Sequence, residues 1–199
     1  MRFALRILAF VLVVSGCASQ QPNADPATIA AVSYRDTSEA SITVITMISN
    51  ATGAGGHSAL LINASERILF DPAGSFYSEI VPERDDVLFG ISPRVEQYYK
   101  SSHARSTHHV VTQKITVTPE QAQLAYQVAL QNGPVMSAFC TQATSGVLRQ
   151  IPGFEQISAT FFPDNLMRQV AEIPGVETDR YYEGDDPDLQ KALAQGIDA

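Results

Sequence analysis

Ser41-Ile42-Thr43-Val44-Ile45-Thr46-Met47-Ile48 is rich in β-branched residues and alternates apolar with polar positions, which predicts a strand. Folded structure is expected to begin there. A glycine-rich loop, Asn50-Ala51-Thr52-Gly53-Ala54-Gly55-Gly56, leads to His57 and a second strand through Ser58-Ala59-Leu60-Leu61-Ile62. Asn63-Ala64-Ser65-Glu66 reads as a turn and Arg67-Ile68-Leu69-Phe70-Asp71 as the returning strand, closed by Pro72-Ala73-Gly74. Val87-Leu88-Phe89 predicts a short strand, Pro93–Lys100 a short helix, Ser101 to Thr107 a loop, and His108 to Val117 another strand. Thr118 with Pro119 and Gln121 forms the T-x-x-Q start of a helix that Gly133-Pro134 stops. Ser137 is the expected cap of a following helix, in which Cys140, Ala143, Val147 and Ile151 share one face. Further helices are predicted from Asp164 to Glu172 and from Pro187 to Gln195. Strands followed by helices give an α+β domain, an antiparallel sheet with helices packed on one side.

The first forty residues follow another pattern. Arg2 and Arg6 precede an apolar run, Ile7 to Val14, that is too short to span a bilayer. Val14-Ser15-Gly16-Cys17 follows, and small residues before a cysteine resemble the bacterial lipobox. That resemblance implies a signal peptide over residues 1–16, removed to leave a lipid-bearing Cys17. Ser19 in the second mature position suits sorting to the outer membrane, facing the periplasm. Residues 17–40 carry few large apolar side chains and are expected to be a membrane tether, leaving residues 41–199 as the domain.

Loss of Arg2 and Arg6 reduces 13 basic residues to 11 against 21 acidic ones, a formal charge of −10 for the mature chain. Phosphate binding needs a positive surface, so nucleic acid is excluded as a partner. Attraction to anionic lipid is likewise disfavoured, and attachment would rest on acyl chains.

With Cys17 acylated, Cys140 is the only remaining cysteine and has no disulfide partner within the chain. It is either a small buried hydrophobe or a nucleophile. A first-turn position places it at the positive end of the helix dipole, which favours thiolate. His57 supplies a base. If the hairpin turn centres between Ala64 and Ser65, His57 faces Asp71 or Pro72 across the two strands, with Cβ atoms roughly 5 Å apart. Asp71 could then orient the imidazole; it could equally accept local hydrogen bonds in an ordinary Asp-Pro-Ala-Gly turn. His103, His108 and His109 form no metal pattern: neighbouring histidines on a strand point to opposite faces, and neither C-x-x-C nor H-E-x-x-H is present. The glycine loop lacks the lysine of a phosphate-binding loop. Neither a metal nor a cofactor is expected.

Gly55-Gly56-His57-Ser58-Ala59-Leu60-Leu61-Ile62 with Ile68-Leu69-Phe70-Asp71, then Val110 to Val117 running into Thr118-Pro119-Glu120-Gln121, then Phe139-Cys140-Thr141-Gln142-Ala143, together resemble a known group. It is the circularly permuted papain-like superfamily, which joins permuted relatives of NlpC-type cell-wall peptidases with lecithin:retinol acyltransferase-like enzymes. The resemblance covers roughly residues 41–175, and in it the histidine precedes the cysteine. It implies Cys140 as nucleophile, His57 as base, Asp71 as third member and the Cys140 N–H as part of an oxyanion hole. The chain departs from the group in carrying Phe139 where many relatives have a polar residue. It also has Asp71 where acyltransferase-like members have a second histidine. The implied function is that of an envelope cysteine hydrolase cleaving an amide, ester or thioester, with peptidoglycan peptides or acylated molecules as substrates. The alternatives are a non-catalytic binding or assembly lipoprotein on the same fold, and an acyltransferase.

Overall fold

A computed structural model describes residues 22–196. The segment read as a signal peptide and Cys17 lie outside the described residues. β1 (Ser41–Ser49) is buried along almost its whole length and occupies an interior place in a sheet of seven strands. Beside it lie β2 (Gly55–Asn63), then β3 (Arg67–Phe70), and beyond that two short strands, β4 (Glu83–Arg84) at the edge and β5 (Val87–Leu88) next to β3. On the other side come β6 (His108–Thr116) and the edge strand β7 (Glu177–Tyr181). Every pairing is antiparallel.

Helices cover both faces, not the single face expected. On one face α3 (Pro119–Asn132), α4 (Cys140–Leu148) and α5 (Pro163–Ala171) close over Ile42, Val44, Leu60, Ile62 and Phe70. On the other, α2 (Pro93–His103) buries Val95, Tyr98 and Tyr99 against Ile45, Met47, Leu61 and Leu69. The physical reason lies in β1: Ile42 and Val44 point one way, but Ile45 and Met47 point the other. A strand with apolar residues on both faces needs two covering layers.

The folded body also starts before Ser41. Asp25 caps α1 (Pro26–Val32) in the stretch expected to be a tether. Ala24 N–H donates to the Glu83 carbonyl at 2.8 Å, and Arg67 N–H donates to the Tyr34 carbonyl at 2.9 Å. Two further features escape the hydrophobic pattern. β7 is polar throughout, as a solvent-facing edge strand must be. α2 continues through His103, into the stretch expected to be a loop. The T-x-x-Q capping box of α3 is present, with Thr118 Oγ1 and Gln121 Oε1 each accepting from the other's backbone N–H.

Candidate functional site

His57 stands near the start of β2, where the pairing with β1 slips: Met47 lies opposite His57, but Ile48 lies opposite Gly55. Gly56 is therefore an extra residue, a bulge that re-aims the strand at this point. Gly55 has to be glycine, because a Cβ there would lie 2.5 Å from Pro163 Cβ and from the Asp164 backbone nitrogen at the start of α5.

The hairpin register differs from expectation. Leu60 pairs with Phe70 and Asn63 with Arg67, so the turn centres on Ser65. Continued one step, that register places Asp71 opposite Ala59, not His57. Residues 57, 59 and 71 still share a face, and the diagonal neighbours meet: His57 Nε2 lies 2.6 Å from Asp71 Oδ1. Tyr99, from α2, donates its hydroxyl to the same carboxylate oxygen at 2.7 Å. Gly74 lies against that carboxylate so closely that a Cβ there would be 2.0 Å from Asp71 Oδ2.

Cys140 is the first residue of α4 and is 8% exposed. Ser137 does not cap this helix; Phe139 occupies the cap position and no side chain bonds the end. The backbone N–H groups of the first turn are thus left for something else. Ser58 holds α4 on the sheet, its Oγ meeting Thr141 Oγ1 at 3.0 Å and Thr144 Oγ1 at 2.9 Å among buried hydroxyls. Ala138, two residues before the cysteine, has φ 71°, a strained conformation for an alanine.

The thiol and the imidazole are close enough for each to shift the other's ionisation. Burial opposes ionisation of Cys140, but a hydrogen bond from His57 and its positive charge, together with Thr141 and the Ser58 N–H, bring the thiol down from 9.0 to about 7. Burial also opposes charge on His57; the charge and hydrogen bond of Asp71, then those of Cys140, outweigh it and raise the imidazole from 6.5 to about 10. Nε2 is committed to Asp71, so Nδ1 is the ring nitrogen that the carboxylate does not hold. Asp71, although buried, is held below its ordinary value by His57. Between about pH 7 and pH 10 the pair is a thiolate and an imidazolium.

The structure brings together Cys140, His57 and Asp71. His103 lies nearby. Its ring stacks on that of His57 with centroids 6.4 Å apart, and its Nδ1–H donates to the Tyr99 carbonyl at 2.7 Å. Burial lowers it to about 4, so it is neutral at pH 7. His108 and His109 sit elsewhere on β6, His109 bonding Asn50 Oδ1 at 2.7 Å and stacking on Tyr182. Among the described residues no group of three histidine, cysteine or carboxylate side chains is placed to hold a metal ion.

Sequence reasoning missed Tyr99 and Asp86. Asp86 is buried, and its Oδ2 accepts from Ala73 N–H at 2.9 Å and Val135 N–H at 2.8 Å. Its carbonyl accepts from Asp71 N–H at 2.8 Å. One carboxylate thus ties the turn after Asp71 to the loop that delivers Cys140. Asp86→Ala strips both amides of their acceptor, at about 1–3 kcal/mol each. It is expected to lower the urea midpoint and slow alkylation of Cys140; unchanged alkylation would show that the two loops are placed independently of it.

Set against known protein families, curated proteins and solved structures, the chain matches none.

Proposed function

We propose that this chain is a lipid-anchored cell-envelope cysteine hydrolase of circularly permuted papain-like type. It would cleave an amide, or an ester or thioester, through an acyl-enzyme. The observation that carries the reading is the hydrogen bond by which buried Asp71 holds His57, beside a Cys140 thiol at a helix start that the imidazole draws toward the thiolate. A binding module has no need of an ion-paired thiol at an uncapped helix start.

In the proposed reaction Cys140 Sγ, as thiolate, attacks the substrate carbonyl carbon. The oxygen gains the electron pair and turns toward the first N–H groups of α4, where the dipole favours negative charge. As the tetrahedral intermediate collapses, the bond to the leaving nitrogen, oxygen or sulfur breaks and the His57 imidazolium gives that atom its proton. The thioester is then opened by water, whose proton passes to His57, releasing the carboxylic acid and restoring the thiolate. Asp71 keeps the imidazole in the orientation both proton transfers need. The order of elements supports the permuted papain-like assignment, with a histidine hairpin first and a cysteine helix after it.

The lipid anchor rests on the sequence of residues 1–17, and peptidoglycan peptides are substrates in reach of such an address. The test is hydrolysis of short acyl amides and esters by the purified full chain, with Cys140→Ser as control. Product release that falls at least a hundredfold in the variant is the expected result. Equal release by both proteins, or none from any acyl donor, contradicts the proposal.

A further inference from the structure

Four large apolar side chains lie exposed on the loops flanking the candidate nucleophile. Met136 is 71% exposed, Phe139 36%, Phe161 51% and Phe162 67%. Phe139 immediately precedes Cys140, and its ring meets that of Phe161 edge-on at 5.5 Å. Phe162 is the cap residue of α5, whose next residue, Pro163, abuts Gly55 on the histidine strand. Large apolar side chains from two loops therefore rim the approach to the thiol, one loop on the cysteine side and one on the histidine side. Exposed apolar side chains gathered beside a site in this way, with Phe139 and Phe161 in contact, mark a meeting with something apolar.

The start of the described chain indicates what that is. Asn23 is fixed to the body: its amide donates to Asp85 Oδ1 at 2.8 Å and its Oδ1 accepts from Asp85 N–H at 2.8 Å. Asp85 adjoins Asp86, whose carboxylate holds Val135, the neighbour of Met136. Those contacts place Asn23 within about 20 Å of Met136. Only six peptide steps separate Cys17 from Asn23, a reach of at most about 20 Å. An acyl chain on Cys17 would therefore keep Asn23, and with it this end of the sheet, within about 20 Å of the membrane.

We infer that the rim of Met136, Phe139, Phe161 and Phe162 seats the mouth of the Cys140 site on the lipid surface. This inference rests on the lipoprotein reading above. The chain's net negative charge gives no attraction to anionic lipid, so the seat is apolar and suits zwitterionic bilayers. A site opening onto the bilayer takes its acyl donor from the membrane side.

The chain has no tryptophan, so one introduced at a chosen position reports alone. Full-length, lipidated protein carrying Phe162→Trp is bound to phosphatidylcholine vesicles whose acyl chains are brominated. Ser65→Trp, in the exposed turn at the far end of β2, serves as comparison. The expected result is a blue shift and loss of most emission at position 162, with position 65 unquenched. Met136→Trp repeats the test at a second rim position. If the protein floats with the vesicles but neither rim reporter is quenched, or if position 65 is quenched equally, the lipid seat is wrong while the anchor stands. If it does not float and the Cys17 peptide carries no acyl mass, the anchor fails and the seat with it. Alkylation of Cys140 in the same samples reads the thiol chemistry separately from both.

Discussion

His57→Ala is expected to cost Cys140 its thiolate. In the native chain the imidazolium opposes the effect of burial and holds the thiol at about 7. Without it, burial is opposed only by Thr141 and the Ser58 N–H, and the thiol moves up toward its ordinary 9.0. At pH 7 the ionised fraction then falls from about one half to about one in a hundred, so alkylation should slow about 50-fold. The measurement is the iodoacetamide rate at Cys140, read by peptide mapping so that Cys17 does not contribute. The native rate should rise through a limb near pH 7, whereas the variant should show only a limb near pH 9. Identical profiles in the two proteins would remove His57 from the site.

Asp71→Ala has the largest expected effect on stability. It removes the stronger of the two anionic partners of His57, leaving the Cys140 thiolate, and it deprives the buried Tyr99 hydroxyl of its acceptor. Breaking a buried ion pair by removing one partner costs about 3–5 kcal/mol, a large fraction of a domain's net stability. Burial then drives His57 toward the neutral form, and the thiolate is lost with it. Asp71→Asn keeps an oxygen for Tyr99 and should fall between the two. The pH dependence has a definite sign. Asp71 lies below its ordinary 3.8, so its contribution is present above about pH 4 and disappears as pH falls through the folded value. His57 is raised from 6.5 to about 10, so its contribution is full below about pH 6.5, declines above that and is gone beyond pH 10. Urea midpoints of native and Asp71→Ala proteins should differ most between pH 4 and 6.5 and draw closer above 10, where the Tyr99 hydrogen bond to Asp71 remains. A difference that persists undiminished at pH 11 would show that Asp71 acts through packing alone.

How much of this was legible in the sequence depended on whether the deciding contacts were local. β1, the β2–β3 hairpin and the capping box of α3 show in the chain because their periodicities and capping residues lie within a few positions of one another. The helix carrying Cys140 shows in the same way, although its cap does not. The hairpin's register shows only approximately. Centring the turn on Ser65 instead of between Ala64 and Ser65 replaces an expected opposition of His57 to Asp71 or Pro72 by a diagonal His57–Asp71 contact. The site survives that difference because both residues remain on one face. The second helical layer is encoded by Ile45 and Met47, whose shift of phase within β1 is easily read as plain alternation. Tyr99 and Asp86 were not legible at all. Each reaches the site through a long-range contact, Tyr99 across 28 residues to Asp71 and Asp86 across 49 to Val135, and nothing around either residue announces it.

The central claim is that Cys140 carries the acyl group in mid-reaction. Its most direct test is the intact mass of the native chain, quenched in acid during turnover of an activated acyl ester, followed by mapping of the modified peptide. The expected result is an added acyl mass on the peptide containing Cys140, decaying at the rate of product release and absent in Cys140→Ser. A chain that turns over the ester with no acyl mass at Cys140, or that holds the acyl group there without ever releasing it, would contradict hydrolysis through this thiol.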